Sequence, residues 1–283
     1  MLEYRLMPLL EYENTSEPCA FVEYDLIYGL TGICTYLLSI DNLTGQLKEI
    51  LLKIIDLIVY RAKFAEKGFY TTRNQHFFES ERSDIFIECG LAHGVPGVLS
   101  MLCLAQKRGI QHPELHSSIK KLSSWLFQQI TFEDNRYVIP YYIDENRSSS
   151  NAHFGWCYGM PGILIPLWTS LDVNEKDIYK PFFIIILKNI YKNVFENITL
   201  YEKGICHGII GLIYILYKFC KVIYDKDLVD LLNSIIEKIP DNYLCSNKDK
   251  NSILNGNIGM FIISLSMYKE EESVLDNIML LNF

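Results

Sequence analysis

Five Gly-x-x-Gly steps constrain this chain more than any other feature: Gly29/Gly32, Gly94/Gly97, Gly159/Gly162, Gly208/Gly211 and Gly256/Gly259. Each is followed by an apolar run, and successive steps start 65, 65, 49 and 48 residues apart. Recurrence at such intervals marks a repeat architecture, in which each unit buries its apolar side only against its neighbours. The central copy, Gly155-Trp156-Cys157-Tyr158-Gly159-Met160-Pro161-Gly162, carries a cysteine two residues ahead of its first glycine.

Helical periodicity follows each step. Ile33, Tyr36, Leu37 and Ile40 keep helical spacing over 32–40, and Asp41-Asn42 ends the run. A second helix over 46–64 puts Leu47, Ile50, Leu51, Ile54, Leu57 and Ile58 on one face. The same pairing predicts helices over 97–106 and from Pro113 onward, then 162–171 with 181–195, 211–224 with 228–239, and 259–268 with 274–281. The apolar helix of each pair is the inner one and the amphipathic helix faces solvent. An all-α fold results, in which helical hairpins curl into a double-layered ring. Residues 1–23 read as an irregular lead-in to a single domain over 1–283, and 67–88 and 135–150 as short strands or surface loops.

At 283 residues and 49% hydrophobic the chain can bury a sizeable core. A net charge of −8 with no Lys/Arg cluster argues against nucleic acid and anionic membranes as partners. The start, Met1-Leu-Glu-Tyr-Arg-Leu-Met, is no secretory signal, and 205–217 is too short and interrupted to span a bilayer. Eight cysteines without regular spacing do not form a disulfide framework, so the cytoplasm is the expected compartment.

Aligning the steps lines up the residues just ahead of each first glycine: Tyr28, His93, Tyr158, His207 and Asn255. One position earlier stand Ile27, Ala92, Cys157, Cys206 and Leu254. A lone Cys-His pair is more often packing than ligation. Here, however, Cys157 and Cys206 share one slot on consecutive repeats, and His207 adjoins the second. Two sulfurs and an imidazole suit zinc and leave its fourth position open for a substrate thiol. His93, in the equivalent slot one repeat earlier, fits an acid or base. Asp25 either orients His93 or caps a helix start. Tyr158 and Trp156 either line the pocket or fill it. Cys19, Cys34, Cys89, Cys103, Cys220 and Cys245 follow no ligand pattern.

At these residues the sequence resembles the lanthionine synthetase C family, the cyclases of lantibiotic biosynthesis. The matching motifs are Asp25-Leu-Ile-Tyr-Gly-Leu-Thr-Gly, Gly90-Leu-Ala-His-Gly-Val-Pro-Gly, Trp156-Cys-Tyr-Gly-Met-Pro-Gly, Cys206-His-Gly-Ile-Ile-Gly and Asn255-Gly-Asn-Ile-Gly. The resemblance implies an α/α toroid with zinc on Cys157, Cys206 and His207. It implies addition of precursor-peptide cysteine thiols to dehydroalanine or dehydrobutyrine, with His93 and Asp25 in acid/base roles and Tyr158 as a pocket tyrosine. The family carries an arginine four residues before the first zinc cysteine; His153 stands there in this chain and is expected among the catalytic residues, and the nearest arginine is Arg147. The family's toroid has seven hairpins against the five steps here, so two are expected to be missing on the N-terminal side. A second chain completing the ring is one way to cover the faces this leaves. The implied partners are a dehydrated precursor peptide and the pathway's dehydratase and transporter, which would bring the chain peripherally to the inner membrane. Two other readings stay open: a peptide-binding subunit that keeps the zinc scaffold without turnover, and an enzyme adding glutathione to dehydroamino acids.

Overall fold

The computed structural model describes residues 18–72, 85–144, 154–197, 202–239, 251–271 and 274–281. His153, Arg147 and Cys245 lie outside these residues. The chain falls into two compact units. One holds Met1–Gln129 and Pro140–Ser150, the other Ile130–Ile139 and Asn151–Phe283.

In the first unit, α1 (Leu30–Leu38) packs on α2 (Gly45–Ala62), and α3 (Val95–Lys107) on α4 (Leu115–Gln128). Inner helices α1 and α3 touch each other, as do outer helices α2 and α4. The stretch read as strands or loops contributes strands. β1 (Thr71–Thr72), β2 (Ile85–Glu88) and β5 (Tyr142–Asp144) form an antiparallel sheet in that order, with Thr71 opposite Phe86 and Ile87 opposite Ile143. The lead-in is partly ordered as well. Phe21–Glu23 is a 3-10 turn tied down by a buried ion pair between Glu23 and Arg61, whose guanidinium also donates to the Gly68 carbonyl at 3.3 Å. Tyr24 donates to Thr71 at 3.0 Å, which fixes the loop carrying Asp25 against the sheet.

The second unit repeats the plan. Inner helices α5 (Met160–Thr169), α7 (Ile209–Ile223) and α9 (Asn257–Lys269) pack in sequence, with outer helices α6 (Val173–Glu196) and α8 (Lys226–Lys238) behind them and α10 (Val274–Ile278) at the end. Trp168, Phe183 and Phe219 meet edge-on and tilted in its core, at centroid distances of 5.0 to 6.4 Å. A hairpin of β3 (Thr131–Glu133) and β4 (Arg136–Val138) turns at Asp134-Asn135, both at positive φ (49° and 62°), the signature of a type I′ turn. On α9 one side is buried, at Met260 and Ile263. Ile258, Phe261, Leu265 and Tyr268, spaced three and four apart, are exposed.

Several helix starts differ from the periodicity for physical reasons. Every inner helix starts two residues before its predicted start, because the first glycine of each step is the N-cap: Gly29, Gly94, Gly159, Gly208 and Gly256. The helix predicted over 181–195 begins at Val173 instead. Asp172 accepts from the Glu175 N–H at 2.9 Å while Glu175 accepts from the Asp172 N–H at 2.9 Å, a capping box that outweighs the exposed Pro181 inside the helix. Pro113 precedes α4 in a turn rather than opening it.

The second glycine of each step has a steric cause. The chain six residues upstream folds back onto the first helical turn. A Cβ on Gly32, Gly97, Gly162, Gly211 or Gly259 would fall onto the carbonyl oxygen of Leu26, Leu91, Trp156, Ile205 or Ile253 respectively. Among the described residues no helix is long and apolar enough to cross a membrane.

Candidate functional site

Backbone bonds between consecutive repeats decide which slot residues become neighbours. In the second unit the Trp156 and Cys157 N–H groups donate to the Cys206 carbonyl at 2.8 and 3.2 Å. The Ile205 and Cys206 N–H groups donate to the Leu254 carbonyl at 2.6 and 3.2 Å. The first unit makes the same link, from the Leu26 N–H to the Ala92 carbonyl at 3.1 Å. Within each unit the slots of consecutive repeats are thus stitched together, and Cys157 stands beside Cys206 by main-chain geometry. Gly155 keeps that approach open, since a Cβ there would stand 3.1 Å from the Cys206 oxygen and from His207 Cα. Gly159 is the only one of the five capping glycines at positive φ, 98° against −113° to −147° for the others. The backbone therefore turns differently where it leaves Cys157 and Tyr158 for the helix.

The ligand atoms of Cys157, Cys206 and His207 all lie within 4.8 Å of one another. Two sulfurs at about 2.3 Å from a common tetrahedral centre would stand about 3.8 Å apart, so the cluster has the size of a zinc site. Protons hold the same three groups together. The Cys206 thiol is pushed far above the usual range by its hydrogen bond to Cys157, with burial second. The His207 imidazole is raised, chiefly by its hydrogen bond to Cys157 and in smaller part by the Glu202 carboxylate. The cysteines with no ligand pattern differ in cause. Burial is the leading reason that Cys19, Cys34 and Cys89 are raised and that Cys220 is pushed up to about 11. They behave as packing residues.

Asp25 and His93 form a pair within the first unit. Asp25 is fully buried, its Oδ1 accepts from the Ile27 and Tyr28 N–H groups at 2.6 and 2.5 Å, and its Oδ2 lies 2.7 Å from His93 Nδ1. It caps no helix, since that position belongs to Gly29. Asp25 occupies the place held by Gly155 and Gly204 in the second unit. There the residue's carbonyl accepts from the second glycine of the step, at 3.4 Å for Asp25, 3.2 Å for Gly155 and 3.4 Å for Gly204. The fold uses that main-chain acceptor in all three repeats and a side chain in only one. With Nδ1 held by the carboxylate, Nε2 is the atom at which the imidazole would exchange a proton. Phe21 and Tyr28 stack on the ring at 5.9 and 6.2 Å.

Of the other expected site residues, Trp156 is a filler, 1% exposed with its indole N–H donating to the Met279 carbonyl at 2.9 Å. Tyr158 is half-buried. His153 lies outside the described residues. The repeat alignment missed two residues, Phe21 against His93 and Glu202 at 2.9 Å from His207 Nε2. An aromatic three residues ahead of Tyr24 was a weak signal for the first. The second contact runs across a loop whose closure no periodicity encodes.

A family model described as lanthionine synthetase C-like protein matches residues 4–280. The chain is 27% identical over 229 residues to the nisin biosynthesis protein NisC of Lactococcus lactis subsp. lactis, across 76% of this chain and 52% of that protein. It therefore spans about half the length of that curated relative. The solved structure of nisin cyclase aligns with a TM-score of 0.72 at 22% identity, covering 99% of this chain and 71% of that one. This likeness shows the fold, all-α and of the α/α toroid class, as the hairpin pattern led us to expect. With a match that runs over nearly its whole length and through every Gly-x-x-Gly step, the chain belongs to the lanthionine synthetase C-like family.

Proposed function

We propose that this chain is a zinc-dependent lanthionine cyclase that closes thioether rings in a dehydrated precursor peptide. The observation that carries the reading is the meeting of Cys157, Cys206 and His207, a donor set of the kind that keeps one zinc position open. Zinc bound there would lower the pKa of an incoming peptide thiol, so that it reacts as thiolate while two protein thiolates keep it electron-rich. The chain's own residues supply the rest. The peptide sulfur bonds to the β-carbon of dehydroalanine or dehydrobutyrine, and the alkene π pair moves to the α-carbon side as an enolate. His93, held by Asp25, delivers the proton that the α-carbon needs. The thiol proton lost at the start balances the one gained, so the product has the mass of the reactant. The cytoplasm, with a dehydratase and a transporter as working partners, is the setting that suits this role.

The reaction is read by incubating the zinc-loaded protein with a dehydrated precursor. Loss of alkylatable thiol with no change in peptide mass supports cyclisation. Gain of one small thiol from glutathione, or binding with no thiol consumed, contradicts it. In the same assay His93→Asn is expected to keep its zinc and lose about 10²-fold or more of the rate. Asp25→Asn, which retains an acceptor for the Ile27 and Tyr28 N–H groups, should fold normally and lose about 10-fold or more. An unchanged rate in His93→Asn would remove that residue from the mechanism.

A further inference from the structure

The loop that delivers Cys206 and His207 is closed at its neck. The Ile209 N–H donates to the Glu202 carbonyl at 2.7 Å, and Glu202 pairs with Gly208 in an isolated parallel bridge. The main chain of Glu202 is thereby held across from the step's first glycine, whatever its side chain does. That side chain turns to the histidine, with Oε2 2.9 Å from His207 Nε2. An imidazole offers two nitrogens. With Nε2 occupied by a carboxylate, Nδ1 is the nitrogen left for the hydrogen bond that His207 also makes with Cys157.

We propose that Glu202 is a positioning residue of the metal centre. Its carboxylate accepts the Nε2–H of His207, which fixes the tautomer and ring orientation that present Nδ1 to the ion. The inference rests on the zinc reading and adds a residue to it. Carboxylate or carbonyl partners of metal-bound histidines change affinity by about 10- to 100-fold when removed. With the Glu202 side chain 70% exposed and the His207 side chain 40% exposed, water competes for the contact. The effect therefore belongs at the lower end of that range.

The test is zinc affinity, measured on the full chain by competition with a chromogenic chelator for the parent, Glu202→Gln and Glu202→Ala. The Ala variant is expected to bind zinc about 10-fold more weakly, with Gln, which keeps an acceptor without the charge, between it and the parent. Thermal stability without zinc should match the parent in both variants, because the neck of the loop is closed by main-chain bonds; a purely structural residue would lower it. In a proton–nitrogen spectrum of the zinc-loaded protein, His207 should show an Nε2–H signal that Glu202→Ala loses to exchange with water. Affinity in Glu202→Ala within about twofold of the parent would overturn the assignment. A parent that binds no zinc would overturn the metal reading itself, and this inference with it.

Discussion

Purified Cys206→Ala is expected to lose its zinc, falling from about one ion per chain to under about 0.1 after dialysis. Cys157→Ala should behave alike. Each removes one of three protein ligands from a site whose total binding energy is on the order of 10 kcal/mol or more, so affinity should drop by about 10³-fold. Folding should survive in Cys206→Ala. The cysteine's structural work is done by its carbonyl, which takes the Trp156 and Cys157 N–H groups, and by its own N–H to Leu254. Cyclisation should disappear with the metal. Cys34→Ala is the control: that thiol is fully buried among core side chains and raised by burial, so its removal should cost stability and leave zinc content unchanged. Full zinc content in Cys206→Ala would show that the cluster is held together for packing.

The second large effect concerns the fold. Gly211→Ala would drive a methyl group into the Ile205 carbonyl, and the obstacle is backbone that cannot rotate away. Overpacking of this kind costs about 3 kcal/mol or more. For a chain of 283 residues that is a fall in Tm of about 6–12 °C. The displaced Ile205 carries the link to Leu254 and adjoins Cys206, so zinc affinity should fall as well. Gly45→Ala separates crowding from backbone strain. Gly45 sits at φ +61° with nothing within 4 Å of the added Cβ, so only the left-handed conformation is penalised, at about 1 kcal/mol. Equal Tm losses in the two variants, by differential scanning calorimetry, would contradict the steric account of the repeat.

The repeat is legible in the sequence because each glycine answers a local demand that recurs. What the period could not give was the end of each element. The apolar spacing is counted from the second glycine of each step, whereas each helix starts two residues earlier, directly after the N-cap glycine, so every inner helix reads short by that amount. Val173 was hidden for another reason. α6 buries no side chain before Phe183, so its first turns show no core-facing period, and only the Asp172–Glu175 box marks where the helix starts. The Asp134-Asn135 turn is a signal that the sequence carried and the reading passed over.

At the site, register alone put Cys157 beside Cys206, because the stitching between slots is made by main chain and recurs from repeat to repeat within each unit. Asp25 was legible as a carboxylate four residues before Gly29, with orientation of His93 and a helix cap as the two roles its position allowed. Glu202 was not legible. Its contact depends on a bridge to Gly208 that closes the loop, and side-chain identity does not encode that bridge.

The most direct test of the account is the zinc K-edge absorption spectrum of the loaded protein before and after a cysteine-containing peptide is added. We predict two sulfurs at about 2.3 Å with nitrogen and one further light atom at about 2.0 Å, becoming three sulfurs with peptide present. Four sulfurs from the outset, only light-atom ligands, or a sulfur count that ignores the peptide would contradict it.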